Sequence, residues 1–266
     1  MTTTTRRRRR SALAATGAIV LAVLALVGVH LADGSASTAA TTTASSAVAH
    51  GIQTIPAGVT DAVAAGTGTG PSALTGATSI TAGGKPRVVY IGAEFCPYCA
   101  AERWAVVQAL SRFGSFTGLG ETRSSASDVY PSTASLSFHG ATYTSSWLSF
   151  SGYETTTNQR QGGGYAPLDA VPADVQQLVS AAGAGSSIPF VDLGGAAVIS
   201  GATYDPGLLQ GLSQRQIVAA LGDPSSPVAK AVLGTANRIT AQLCTLTGAQ
   251  PAAVCSAPGV TAAARA

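Results

Sequence analysis

The chain has 266 residues, 46% of them hydrophobic and only 10% charged. Its formal charge of +3 rests on the run Arg6–Arg10; the remainder carries ten basic against twelve acidic residues, so no basic surface is left for nucleic acid. Apart from that arginine run the first 85 residues carry only Asp33, Asp61 and Lys85 as charges, which divides the chain into two compositional regions.

Residues 1–10 form a basic tail, followed by the uncharged segment Ser11–Leu31, SALAATGAIVLAVLALVGVHL, long enough to cross a bilayer. Positive charge is retained on the cytoplasmic side, so this order predicts a single N-terminal anchor with everything after Leu31 outside the cytoplasm at the plasma membrane. A secretory signal peptide is the alternative, because the small residues Ala32, Ser35 and Ser37 would suit cleavage and release the chain. Residues 32–55, rich in Ala, Ser and Thr, read as a flexible stalk with too little apolar surface to order itself. His30 and His50 have no partner at metal-ligand spacing and read as incidental. From Ile55 to Pro86 glycines and prolines surround one short helix, Val59–Ala65, a lead-in that wraps a domain spanning 56–257.

Arg87–Ile91 (RVVYI) lacks polar alternation, as a strand buried on both faces does. Cys96-Pro97-Tyr98-Cys99 follows, then AAERWAVVQALSRF, in which Ala100, Trp104, Val107 and Leu110 recur at helical spacing with Glu102, Arg103, Gln108 and Arg112 as the polar face. Pro97 suits the first helical position and makes Cys96 the N-cap. There the positive end of the helix stabilises a thiolate, the nucleophile of disulfide exchange. Cys99, one turn on, is placed to resolve a mixed disulfide. A structural bridge and a zinc half-site are the alternatives, but zinc lacks a second Cys-x-x-Cys or a nearby histidine. Glu94 is either a plain loop acid or a carboxylate that accepts the Cys99 proton or raises thiol pKa values by its charge.

The order strand, Cys-Pro-Tyr-Cys, helix resembles a thioredoxin-like unit, whose second half carries a cis-proline strand, a hairpin and a helix. Here Ser187–Leu193 (SIPFVDL) with Pro189, then Gly194-Gly195, Ala196–Ile199 and a helix Ser213–Leu221, supply that order. The resemblance implies a cis bond before Pro189, and a backbone at Ile188 presented to an incoming peptide, unless Ile188 is simply core. Residues 114–187 read as an elaborated insertion with strand-like stretches Leu119–Arg123, Leu136–Thr144 and Trp147–Thr155 and a helix Pro172–Ala182. Its aromatics (Tyr130, Phe138, Tyr143, Trp147, Phe150, Tyr153) serve either core packing or substrate, and His139 is a turn residue or a proton shuttle.

Cys244 and Cys255 complete an even set of four, which outside the cytoplasm suggests two bridges, with Cys96–Cys99 and Cys244–Cys255 the natural pairing of three possible. The second closes the end of a helix running from Ser226-Pro227 to Leu246 and is structural unless it relays electrons to the first; residues 258–266 read as a disordered tail.

Across GKPRVVYIGAEFCPYCAAERWAVVQALSRFGSF, SIPFVDLGG and the tail cysteines, the chain resembles the domain of unknown function 929 family from about Pro56 to Cys255. That resemblance implies an α/β thioredoxin-like fold, with the insertion between the first helix and the cis-Pro strand, outside the cytoplasm. It leaves the substrate open. The Cys-Pro-Tyr-Cys core also resembles that of glutaredoxins, but the anchor, insertion and extra cysteines depart from them, and Phe95 stands where thioredoxins have Trp. The resulting expectation is a thiol-disulfide oxidoreductase with Cys96 attacking, Cys99 resolving and Pro189 shaping the groove. No cofactor and no metal are expected. Its partners would be exported protein thiols or disulfides and an unidentified membrane redox protein. The competing expectation is a non-catalytic envelope binding protein in which Cys96–Cys99 is a staple.

Overall fold

The computed structural model describes residues 42–76 and 78–266. The basic tail and the apolar segment 11–31 lie outside the described residues, and among the described residues no helix is long and apolar enough to cross a membrane. Strand β1 (Thr42–Thr43) and helices α1 (Ser46–Gln53) and α2 (Ala57–Val63) precede β2 (Ser72–Ala73), β3 (Thr81–Ala82), β4 (Lys85–Gly92) and α3 (Pro97–Leu110). Strands β5 (Gly114–Thr117), β6 (Gly120–Arg123), β7 (Ala134–Ser137), β8 (Thr142–Ser145), β9 (Ser149–Glu154), β10 (Thr156–Gln161) and β11 (Gly164–Pro167) follow. Then come α4 (Ala173–Ala181), β12 (Phe190–Leu193), β13 (Ala197–Ser200), a 3-10 turn at Pro206–Leu209, α5 (Gln214–Leu221), α6 (Pro227–Leu246), α7 (Ala252–Cys255) and α8 (Pro258–Ala263).

The architecture is mixed α/β, organised on β4. Parallel β9 lies on one side of it (Val88↔Phe150, Ile91↔Tyr153). Antiparallel β12 lies on the other (Leu193↔Val88, Phe190↔Ile91), followed by antiparallel β13 and the short β2. Because side chains alternate along a strand, Val88 and Tyr90 enter the main core with α3, while Val89 and Ile91 enter a second core with Val175 and Leu178 of α4. The unbroken apolar run predicted for this strand is thus required by cover on both faces. The β12–β13 hairpin turns at Gly194 and Gly195 (φ 68° and 72°), where positive φ suits glycine and Asp192 Oδ1 accepts the Gly195 N–H at 2.6 Å.

Helix α3 departs from the amphipathic reading. Its polar residues Glu102, Arg103 and Gln108 are buried like Trp104 and Leu110, because α6, β7 and α1 all pack against it and leave only Tyr98 at the surface. The stretch 42–55, expected as flexible stalk, is instead part of the fold: Val48 and Ile52 of α1 are 1% and 0% exposed in the main core. Ser45 accepts from the Val48 N–H as its N-cap. Sparse as its apolar residues are, they recur at i, i+4 on one helical face.

The tail is likewise ordered, since α8 buries Val260 and Ala263. Within the stretch expected as insertion, β9 is a strand of the central sheet and α4 covers that sheet; only β5–β8 and the β10–β11 hairpin stand outside it. Cys244 and Cys255 are disulfide-bonded with a Cα–Cα distance of 5.6 Å, joining the last turn of α6 to α7.

Candidate functional site

The site grows out of the loop between β4 and α3. Strand β4 ends at Gly92, Ala93–Phe95 turn the chain, and Pro97 at the first helical position leaves Cys96 as N-cap in an extended conformation (φ −77°, ψ 121°). Its sulfur accepts the Cys99 N–H at 3.3 Å, the contact an N-cap acceptor makes. Cys96 and Cys99 are free and buried. A hydrogen bond from the Cys99 thiol, against the opposing effect of burial, brings the Cys96 thiol down to about 7; backbone N–H groups and the Arg103 charge act in the same direction. Burial pushes the Cys99 thiol well above its ordinary value, with the neighbouring Cys96 adding to it. One sulfur is thus prepared to ionise first.

Pro189 is buried and follows a cis peptide bond, and Ile188 packs on the cluster of Ala93, Cys96 and Cys99. Tyr98 stands 41% exposed and meets Tyr130 edge-on at 6.0 Å, while Phe95 stacks on Tyr165 of β11 at 4.3 Å, with Arg160 over that ring at 4.4 Å. Tyr130 is therefore beside the cysteine helix, whereas Phe138, Tyr143 and Phe150 join Phe116 in the core. His139 directs Nδ1 at Asp169 Oδ1, 2.7 Å away. Among the described residues no group of three or more His, Cys, Asp or Glu is placed to hold a metal ion.

Further along α3 lies a buried charged cluster built on Arg103, which the sequence placed on a polar helix face. Arg103, fully buried, donates from Nε and Nη2 to the two Glu154 oxygens at 2.8 and 2.6 Å, from Nη2 to Ala93 O at 2.7 Å and from Nη1 to Ser135 Oγ at 3.2 Å. Glu94, 1% exposed, accepts from Ser137 Oγ at 2.6 Å.

A family model described as a domain of unknown function, DUF929, matches residues 74–245, about two thirds of the chain. The chain belongs to the DUF929 family. The match takes in the cysteine pair, Pro189 and the Arg103 cluster, and stops between Cys244 and Cys255. No curated protein and no solved structure matches the chain.

In this DUF929 protein the residues that sequence reasoning missed are Arg103, Glu154, Ser135 and Ser137. One signal for Arg103 was available: it follows Cys99 by four positions, on the same helical face as the two cysteines. Glu154 had none, because its parallel pairing with β4 joins residues far apart in the chain.

Proposed function

We propose that the chain is a thiol-disulfide oxidoreductase of thioredoxin-like architecture acting on exported proteins. The observation that carries this reading is the asymmetric pair: a helix-capping Cys96 brought to about 7 beside a Cys99 held protonated by burial. The strand arrangement supports the architecture, with β4 and β9 parallel about α3, and β12 and β13 antiparallel after α4 and the cis bond before Pro189.

In the exchange, the Cys96 thiolate attacks one sulfur of a substrate disulfide. A Cys96–substrate disulfide forms, and the other substrate sulfur leaves as thiolate and takes a solvent proton. Cys99 then loses its proton to solvent and attacks the Cys96 sulfur, so that the Cys96–Cys99 disulfide forms and the second substrate sulfur leaves as thiolate. Read backwards, the same steps oxidise a substrate dithiol, the direction that suits an extracytoplasmic site. A membrane dithiol-disulfide protein would reset the pair. The segment 11–31 supports tethering by an N-terminal helix, and no nucleic acid, metal or cofactor enters the scheme.

The test is insulin reduction and RNase refolding by the purified chain: Cys96→Ala is expected to abolish both, and unchanged rates would overturn the enzyme reading. The exposure of Cys96, only 5%, favours one other reading, a binding protein whose cysteine pair is a staple. That reading requires a Cys96 that resists alkylation in the folded, reduced chain.

A further inference from the structure

A buried ion pair follows the cysteine pair along α3. Arg103 is 0% exposed and its guanidinium is fixed by four hydrogen bonds, two of them to Glu154, itself 0% exposed. A buried pair of this kind adds little net stability over apolar side chains of similar size, since desolvating both charges offsets their attraction. Its position is therefore the informative feature. Cys96, Cys99 and Arg103 are spaced i, i+3, i+7 along α3, one face of the helix. Ala93 links them: it packs on both cysteines while its carbonyl accepts from Arg103 Nη2 at 2.7 Å.

We propose that Arg103, held by Glu154, is a positioning residue for the exchange reaction, a fixed cation that stabilises negative charge on Cys96 and then on Cys99 as the reaction passes from one sulfur to the other. This rests on the thiol-disulfide reading above and assigns what biases the pair. The Arg103 charge favours the thiolate at both sulfurs. A stabilised thiolate is a stabilised reduced form, so Arg103 makes the disulfide a stronger oxidant of other thiols.

The remaining charged and titratable groups around the guanidinium are identifiable on each element packed against it. Tyr90 of β4 has its ring centroid 5.9 Å from the guanidinium carbon, and burial keeps its phenol protonated. Glu94 follows β4 and adds to the rise that burial gives Glu154, which the Arg103 charge opposes. Asp169 Oδ2 accepts the Glu154 N–H at 3.0 Å, and His139 faces the same Asp169. Ser135 and Ser137 of β7 contribute hydroxyls only. Glu154 restrains the Arg103 charge, which gives the test a sign.

The experiment uses the full chain and two readouts, the pH profile of Cys96 alkylation by iodoacetamide and the dithiol-disulfide equilibrium in glutathione buffers. Arg103→Met combined with Glu154→Met removes both charges without leaving either alone. It is expected to slow alkylation at pH 6 by about three- to tenfold, and to favour the disulfide by up to about tenfold, which is about 30 mV for this two-electron couple. Glu154→Gln keeps the guanidinium and removes its counter-charge; it is expected to shift both readouts the opposite way. Wild-type values in Glu154→Gln overturn the proposal whether or not the double variant folds, as do same-direction shifts in both. If wild-type Cys96 is itself inert, the oxidoreductase reading falls as well. If wild-type turnover depends on Cys96 while the variants leave both readouts unmoved, only the role of Arg103 falls.

Discussion

At the scale of single residues, the two cysteines differ because one sulfur caps a helix and the other is enclosed by it. With the Cys96 thiol at about 7, its alkylation rate should climb through that pH and level off about a unit above it, while Cys99 stays unlabelled in the folded chain. Mass mapping of the labelled cysteine at several pH values checks this; equal labelling of both would refute it. Cys99→Ser should retain the first attack and accumulate a mixed disulfide at Cys96, visible as a mass increase. Cys96 as N-cap was legible in the sequence because Pro97 and the run after it mark a helix start. Arg103 and Glu154 were not legible, since their pairing depends on β9 lying parallel to β4, which local pattern does not encode.

Among elements, α3 shows how far hydrophobic pattern reaches. Its helical period was readable, but the side facing solvent was inferred from Glu102, Arg103 and Gln108, all buried in the fold. A helix enclosed in this way must find partners for its polar groups inside the protein, and the sequence does not show which partners wait for them. Glu102 meets the Thr203 N–H and hydroxyl through Oε2, at 3.0 and 2.8 Å. Its Oε1 has no partner, and burial lifts the carboxyl from 4.5 to about 7. The folded chain thus holds this proton more tightly than the unfolded chain does. The resulting stabilisation is fully present below 4.5 and is lost as pH rises through about 7. Each pKa unit corresponds to about 1.4 kcal/mol, so the loss amounts to about 3 kcal/mol. Melting curves at pH 5 and pH 8 should show this decline in the wild type and its removal in Glu102→Gln; an undiminished slope in the variant would refute the assignment.

At the level of the whole molecule, the fold begins earlier and ends later than composition indicated. Ile52 lies in the main core, so Ile52→Ala should cost about 2 to 5 kcal/mol in denaturant unfolding; a loss under 0.5 kcal/mol would mean that α1 is dispensable. The Cys244–Cys255 bridge spans 11 positions, and its replacement by serines should cost about 2 to 3 kcal/mol while leaving Cys96 reactivity unchanged. A change in that reactivity would instead join the two pairs functionally. The α/β order of elements was readable from strand and helix patterns, whereas the place of β9 in the central sheet was obscured by its Ser, Gly and Tyr content. The enclosure of α3 has a consequence in time as well as in space. Backbone amides of α3 should exchange with deuterium only through global unfolding, while those of the β10–β11 hairpin beside Phe95 exchange through local opening. The cysteine pair would then stand at the head of the slowest-opening part of the protein, with a quicker-opening hairpin beside Phe95.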